Sequence, residues 1–142
     1  MTQTSQPPIL LVDDNPMDVE LTLRAFERRR LVNPVEIARD GEEALAWMPR
    51  WDKGEVRPVV ILLDLKLPRV SGLEVLKILK SHASYRSIPV VVLTSSAASR
   101  DVETAYELGA NSYIVKPVDF DKFTQVAAQI ELYWTVINQS PP

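Results

Sequence analysis

Short runs of mostly apolar residues recur five times along the chain, and a segment with helical spacing of its apolar residues follows each run. Short, unalternating runs that are rich in β-branched side chains are typical of strands buried on both faces of a parallel sheet. The predicted strands are Ile9–Val12, Val35–Ala38, Val59–Asp64, Ile88–Leu93 and Ser112–Val115. Because these strands alternate with helices, the pattern predicts an α/β fold with a doubly wound, five-stranded parallel sheet.

Helix start and stop signals lie between the predicted strands. Asn15 as N-cap and Pro16 at the first helical position predict a helix that reaches about Arg30. A second helix is predicted over Glu42–Met48, and Pro49 should end it and open a loop. Two further helices are predicted over Leu73–Ser81 and over Ser99–Leu108, the second with Gly109 as its cap. A last helix is predicted to begin at Asp119, because apolar residues recur after it at helical spacing, namely Phe123, Val126, Ala127, Ile130, Trp134 and Ile137.

Length and composition fit one globular domain. The chain has 142 residues, of which 46% are hydrophobic and 25% are charged, and these fractions are close to the average for globular proteins. We expect a disordered leader over residues 1–8, a single domain over residues 9–137 and a C-terminal tail over residues 138–142.

Several classes of function are disfavoured by composition. The chain has no cysteine, which excludes a disulfide framework, a thiolate zinc site and cysteine catalysis, and which fits a reducing cytosol. The net charge of −3 without a long basic run argues against direct binding to nucleic acid. No apolar stretch approaches the roughly 20 residues of a membrane span, and the polar N-terminus lacks the basic region of a signal peptide. We therefore expect a cytoplasmic protein without a membrane partner.

Polar residues close four of the five predicted strands. The first strand ends in Asp13 and Asp14, the third in Asp64, the fourth in Thr94, and the fifth in Lys116. Taken singly, each has an ordinary structural explanation, such as a helix cap, a strand-end threonine or a solvated lysine. In a parallel sheet, however, all these ends lie at the same edge, where α/β folds bind ligands. The set therefore predicts a site.

The chemistry of this site follows from its charges. Clustered carboxylates repel one another and call for a hard cation, and a set of oxygen ligands without histidine or cysteine favours Mg²⁺ over zinc. A cation there would neutralise an incoming phosphoryl group, which a carboxylate could accept as an acyl phosphate. Asp64 stands alone at the end of its strand and is the favoured nucleophile, whereas the adjacent pair Asp13 and Asp14 suits the metal better.

These residues and their spacing resemble the receiver domain of two-component response regulators, over essentially residues 9–137. The motifs that carry the resemblance are LLVDDNP (Leu10–Pro16), DLKLPRVSG (Asp64–Gly72), VVVLTSSA (Val90–Ala97) and GANSYIVKP (Gly109–Pro117). The resemblance implies a flavodoxin-like (βα)5 fold with Asp64 as phospho-acceptor. It further implies that Asp13, Asp14, Asp64 and the backbone carbonyl of Lys66 hold Mg²⁺.

The same resemblance implies a conformational switch. Lys116 would contact the phosphoryl group, Thr94 would move towards it, and Tyr113 would turn inward as Thr94 moves. The Lys116–Pro117 peptide is expected to be cis. Such a protein accepts phosphoryl groups from a sensor histidine kinase and signals with them, and it is not an enzyme in the ordinary sense.

A narrower resemblance connects the chain with stand-alone regulators of phytochrome-type histidine kinases. It is carried by residues 10–28, by the segment WDKGEVRP over residues 51–58, and by the last twelve residues. It implies that a bacteriophytochrome is a candidate kinase and that output passes through protein contacts. A phosphorelay intermediate or a phosphate sink without a direct effector role stays open as the alternative.

Other functions on the same fold are less well supported. An aspartyl phosphatase needs an acidic residue two positions after its nucleophile, where this chain has Lys66. A flavin or nucleotide binder needs a glycine- or hydroxyl-rich loop after the first strand, and the acidic loop here would repel phosphate without a metal. A degenerate receiver used as a scaffold is disfavoured because every site position carries the expected residue type. The single histidine, His82, is not expected to carry a phosphoryl group.

The last predicted helix carries apolar residues outside its core stripe, namely Leu132, Tyr133 and Val136. They either pack on the first helix or form a self-complementary surface, and we expect the second arrangement, which would make the protein a homodimer.

Overall fold

The computed structural model describes residues 6–116, 121, 122, 124–128 and 132. Strands and helices alternate along the described chain. They are β1 (Ile9–Val12), α1 (Pro16–Arg28), β2 (Val35–Ala38), α2 (Gly41–Asp52), β3 (Val60–Leu63), α3 (Gly72–Ser81), β4 (Val90–Thr94), α4 (Ser99–Glu107) and β5 (Ser112–Val115).

The five strands form one parallel sheet in the order β2-β1-β3-β4-β5, so β3 lies at its centre. Successive residues of the central strands face opposite sides and enter two separate apolar clusters. Residues of α2, α3 and α4 join one cluster, whereas residues of α1 together with Val126 and Ala127 join the other. Both faces of the sheet are therefore covered, and the predicted doubly wound α/β fold class is confirmed.

Helix α1 begins as the sequence predicts. The side chain of Asn15 accepts hydrogen bonds from the backbone N–H groups of Met17 and Asp18, at 2.9 and 3.3 Å. The helix ends at Arg28, two residues earlier than predicted, because Arg30 takes a left-handed conformation with φ of +62°. The N–H of Leu31 then returns to the carbonyl of Phe26, which closes the helix end.

The prediction that Pro49 ends the second helix is wrong, because α2 continues beyond it. The helix continues to Asp52, and Trp51 is buried with 4% of its surface exposed. The Trp51 ring packs edge-on against Tyr85 at 5.3 Å between centroids, and the Tyr85 hydroxyl contacts Asp52. Burial of a large aromatic side chain contributes more than the single hydrogen bond that a proline removes, so the last turn forms in spite of Pro49.

Strands β1, β2 and β5 have the predicted bounds, and the remaining boundaries differ from the predictions by at most two residues. Strand β3 covers Val60–Leu63, one residue short at each end, and β4 covers Val90–Thr94, two residues later at its start and one later at its end. Within the described part of the chain, no helix is long and apolar enough to cross a bilayer.

Only part of the last predicted helix can be compared with the structure. Residues 121, 122, 124–128 and 132 are helical, and Val126 and Ala127 are buried as predicted. The predicted positions outside the described residues are 1–5 of the leader, Pro117 with its peptide bond, Asp119, Phe123, Ile130, Tyr133, Trp134, Val136, Ile137 and the tail 138–142.

Candidate functional site

The structure brings the polar strand ends together at one edge of the sheet. Asp13 and Asp64 directly follow β1 and β3, Thr94 is the last residue of β4, and Lys116 directly follows β5. The sheet hydrogen bonds continue past the strands, since the N–H of Asp64 donates to the carbonyl of Val12 at 3.0 Å and that of Lys116 donates to Thr94 at 2.7 Å. Strand pairing thus fixes the relative heights of these side chains.

The ammonium group of Lys116 lies among three carboxylates. Its Nζ is 2.7 Å from Oδ2 of Asp13, 3.0 Å from Oδ2 of Asp18 and 3.0 Å from Oδ2 of Asp64. An ammonium has three N–H donors, so each carboxylate can accept one. The lysine side chain is only 11% exposed, which makes these contacts charge-assisted bonds in a partly dry environment.

Burial and ion pairing act in opposite directions on the two buried groups that anchor this cluster. Burial raises the pKa of Asp13 above its ordinary value of 3.8, although hydrogen bonds from Lys116 and from the backbone of Asn15 act against it. Burial also lowers the pKa of Lys116, but the hydrogen bonds and charges of Asp13, Asp18 and Asp64 outweigh it and hold that pKa well above 10.5. Lys116 is therefore a permanent cation at neutral pH.

Three carboxylates are close enough to share a metal ion. Asp13, Asp14 and Asp64 each offer one oxygen, and these oxygens lie within 4.8 Å of one another. Asp13 and Asp64 are buried whereas Asp14 is exposed. Such an all-oxygen set suits a hard divalent cation. The backbone carbonyl of Lys66 stays a predicted ligand, since the contact that the structure gives is from its N–H to Oδ1 of Asp64 at 3.1 Å.

An open cavity of about 390 Å³ lies beside β5, and a second one, of about 320 Å³, lies over the strand ends. The lining of the second cavity consists of Asp14, Asn15, Asp18, Asp64, Lys66, Ser95 and Lys116. The nucleophile candidate and the lysine thus face a common space that a phosphoryl group could enter. Asp18 is a site residue that the sequence pattern does not single out, because an acidic residue in a first helical turn has an ordinary explanation in the helix dipole.

The loop after Asp64 passes so close to its own start that only glycine fits at position 72. A Cβ atom on Gly72 would lie 2.1 Å from the carbonyl oxygen of Asp64. The N–H of Gly72 donates to the carbonyl of Leu65 at 2.8 Å, which closes the loop. The same loop is tied to the start of α2, since Arg69 lies 3.5 Å from Asp40 and 3.3 Å from Glu42. These contacts fix the backbone that carries Asp64.

The two predicted switch residues both contact the loop after β4. Thr94 is fully buried, and its hydroxyl oxygen accepts a long hydrogen bond of 3.5 Å from the N–H of Ser96. The hydroxyl of Tyr113 donates to the carbonyl of Ser96 at 2.8 Å, and burial raises the pKa of that phenol. The side chain of Ser96 is itself bonded to Asp101 in α4. Ser96 therefore connects the threonine, the tyrosine and the helix.

The remaining candidates lie away from this cluster or cannot be placed. Leu132 is 61% exposed, and its proposed companions Tyr133 and Val136 lie outside the described residues. His82 caps the end of α3, stacks on Tyr85 and accepts a hydrogen bond from the N–H of Ser84. That His82 carries no phosphoryl group stays a prediction.

Comparison with known sequences gives consistent matches over almost the whole chain. The model of the response regulator receiver domain family matches residues 9–128. The probable methanogenesis regulatory protein FilR2 of Methanothrix harundinacea is 43% identical over 135 residues, which are 94% of this chain and 86% of that protein. The response regulator Rcp1 of Synechocystis is 37% identical over 138 residues, or 94% of each chain.

Solved structures of the same kind superpose on this one. The phosphorylated cyanobacterial phytochrome response regulator RcpA has a TM-score of 0.81 and 35% identity, covering 97% of this chain and all of its own. The bacteriophytochrome response regulator RtBRR has a TM-score of 0.78 and 51% identity, covering 96% of this chain and 84% of its own. The Mn²⁺-bound form of Rcp1 has a TM-score of 0.79 and 34% identity, covering 96% of this chain and 99% of its own.

Proposed function

The chain belongs to the response regulator receiver domain family, and on that basis we propose that it accepts a phosphoryl group from a sensor histidine kinase onto the carboxylate of Asp64. The observation that carries this proposal is the placement of that carboxylate. It lines the open cavity at the strand ends, and its Oδ2 lies 3.0 Å from the ammonium of Lys116. The protein is then a cytoplasmic signalling module whose state is set by one acyl phosphate.

In the proposed reaction, a carboxylate oxygen of Asp64 attacks the phosphorus of a phosphohistidine on the kinase. A P–O bond forms as the P–N bond breaks, and the electron pair of that bond returns to the imidazole nitrogen, which takes up a proton. The carboxylate becomes an acyl phosphate. The ammonium of Lys116 stands beside this oxygen and balances the negative charge on the phosphoryl oxygens.

The donor set fits a Mg²⁺ ion. Asp13, Asp14 and Asp64, together with the backbone carbonyl of Lys66, would hold it, and when bound it supplies positive charge to the phosphoryl group. Burial opposes the charged form of Asp13, and a divalent cation would favour that form. The related Rcp1 has been solved in a Mn²⁺-bound form, which supports a divalent cation in this family. We expect the phosphoryl transfer to stop when the cation is chelated.

Signalling is proposed to run through Thr94 and Tyr113. The hydroxyl of Thr94 accepts a long hydrogen bond of 3.5 Å from the N–H of Ser96, which is easily broken when the hydroxyl moves to the new phosphoryl group. The ring of Tyr113 is tied to the same loop through Ser96, so a shift of that loop changes where the ring can sit. The surface formed by α4 and β5 would change shape as a result.

The kinase is proposed to be of the bacteriophytochrome type. RtBRR is a bacteriophytochrome response regulator and RcpA is a phytochrome response regulator, and both align with more than nine tenths of this chain. The test is phosphotransfer from the autophosphorylated kinase domain of a bacteriophytochrome, beside an unrelated sensor kinase as control. Faster transfer from the bacteriophytochrome supports the assignment, whereas equal rates would reject it.

The acceptor role is tested by intact-mass spectrometry after incubation with acetyl phosphate and Mg²⁺. We expect the parent protein and an Asp121→Asn control, changed at an exposed aspartate outside the site, to gain one phosphoryl group. Asp64→Asn should gain none. A parent protein without any gain, or an equal gain in Asp64→Asn, would reject the proposal.

A homodimer that uses the surface of Leu132, Tyr133 and Val136 is a further part of the proposal. The support in the described residues is the exposure of Leu132, at 61%. Light scattering should give a dimer for the parent and a monomer for Leu132→Glu. Val56→Glu is the matched control, because Val56 is 58% exposed and follows α2, which packs on the opposite face of the sheet from the last helix. A monomeric parent, or a dimer that Leu132→Glu leaves intact, would contradict the surface.

A further inference from the structure

Asp18 contacts the reacting cluster without belonging to the carboxylates that could share a metal. It lies in the first turn of α1, and its Oδ2 is 3.0 Å from Nζ of Lys116. It also lines the cavity into which Asp64 opens. The oxygens that converge within 4.8 Å of one another belong instead to Asp13, Asp14 and Asp64.

The three carboxylates around Lys116 have different fates in the proposed reaction. Asp64 becomes an acyl phosphate and is then no longer a free carboxylate, because one of its oxygens is bonded to phosphorus. Asp13 is one of the residues that would share its charge with a divalent cation. Asp18 alone of the three keeps a full carboxylate for the ammonium throughout the reaction. Its side chain is 30% exposed, whereas those of Asp13 and Asp64 are 3% and 9% exposed.

Lys116 reaches this position from one edge of the sheet. Its strand, β5, is an edge strand, and β4 and β3 separate it from β1. Such a long, flexible side chain has many rotamers, and fixing it costs conformational entropy. Asp13 and Asp64 hold the ammonium from the sheet side, and Asp18 holds it from the helix side.

We propose that Asp18 is a positioning residue for phosphoryl transfer, which holds the ammonium of Lys116 over the cavity while the other two carboxylates change their partners. The proposal rests on the function assigned to Asp64 above. The competing explanation is structural, since an acidic side chain in a first helical turn also stabilises a helix through its dipole. The two explanations differ in what an asparagine at this position should do.

Asparagine keeps an oxygen that accepts a hydrogen bond from Lys116, whereas alanine keeps none. With acetyl phosphate and saturating Mg²⁺, we expect Asp18→Ala to be phosphorylated about tenfold more slowly, as befits one lost charge-assisted hydrogen bond. Asp18→Asn should recover most of that rate. Glu20→Ala is the control, because Glu20 lies in the same helix, is exposed and pairs with exposed Arg24.

Two further measurements separate positioning from helix stability. The ¹⁵N resonance of the Lys116 ammonium should shift and broaden in Asp18→Ala and stay close to the parent in Asp18→Asn. The Mg²⁺ affinity, measured by calorimetry, should change less than the rate does. Unchanged phosphorylation of Asp18→Ala would overturn the proposal, and so would equal rates for the two variants together with equally lowered thermal stability.

Failure of this inference is distinguishable from failure of the proposed function. If the parent protein takes up a phosphoryl group on Asp64 but Asp18→Ala does so equally fast, only the role of Asp18 is rejected. If the parent takes up none, the function of Asp64 is rejected first, and the role of Asp18 falls with it.

Discussion

Lys116 is the residue on which the charge balance of the site depends. Its ammonium contacts Asp13 and Asp64, whose side chains are only 3% and 9% exposed. Removing one partner of a buried ion pair leaves an uncompensated charge, which costs more than the pair itself contributes. We therefore expect Lys116→Met to destabilise the metal-free protein by about 3 kcal/mol at pH 7, as measured by urea unfolding.

This contribution has a defined pH dependence. The folded-state pKa of Lys116 lies above the ordinary 10.5, so the folded protein retains its proton where the unfolded chain loses it. The stability that Lys116 contributes is thus fully present below pH 10.5 and is lost as the pH rises above it. The difference in unfolding free energy between parent and Lys116→Met should shrink there. Lys77→Met, at an exposed lysine, is the control, and a difference that grows with pH would contradict the ion pairing.

Gly72 is a residue whose identity is dictated by the backbone of Asp64. The added methyl group of Gly72→Ala would lie 2.1 Å from the carbonyl oxygen of Asp64, so the loop must move. We expect a loss of about 3 kcal/mol or more in urea unfolding. Gly54→Ala is the matched control, because its Cβ meets nothing within 4 Å and only its φ of +104° is strained. That change should cost about 1 kcal/mol, and equal losses would contradict the close approach.

At the scale of elements, α2 shows how tertiary packing outweighs a local signal. Pro49 lies inside the helix and cannot donate to the carbonyl of Leu45 one turn earlier. Pro49→Ala should restore that bond and stabilise the protein by about 1 kcal/mol, after allowance for the more flexible unfolded chain. Thermal unfolding measures this.

The control for that change is Pro16→Ala, at the first position of α1, where no intrahelical bond is missing. It should leave the stability unchanged or slightly lower. A loss of stability in Pro49→Ala would show that the helix gains more from the rigid ring than from the hydrogen bond.

Most strands and helices could be predicted from the sequence, because burial and helix-end signals leave clear patterns in it. The strands are short apolar runs because both faces of the sheet are buried, and Asn15 and Gly109 mark helix ends through their own side chain or conformation. The ends of α1 and α2 could not be predicted from the sequence. Arg30 adopts a left-handed conformation without being glycine, and Trp51 extends α2 through a contact with Tyr85 that is distant in sequence.

At the scale of the whole molecule, parallel pairing explains why the site can be predicted at all. Every strand points the same way, so residues that follow different strands must meet at one edge. That suffices to bring Asp13, Asp64 and Lys116 together from sequence order alone. It does not suffice for Asp18, because the contact depends on the tilt of α1 against the sheet, which periodicity does not determine.

Reductive trapping identifies the residue that carries the phosphoryl group, which we propose to be Asp64. Sodium borohydride reduces the acyl phosphate of a modified aspartate to the alcohol of homoserine, which peptide mass spectrometry can place in the sequence. After incubation with a phosphorylated sensor kinase and Mg²⁺, we expect homoserine at position 64 alone, and none when Mg²⁺ is chelated. Homoserine in place of Asp13, Asp14 or Asp18, or its absence from a protein that has gained a phosphoryl group, would contradict the assignment of Asp64 as phospho-acceptor.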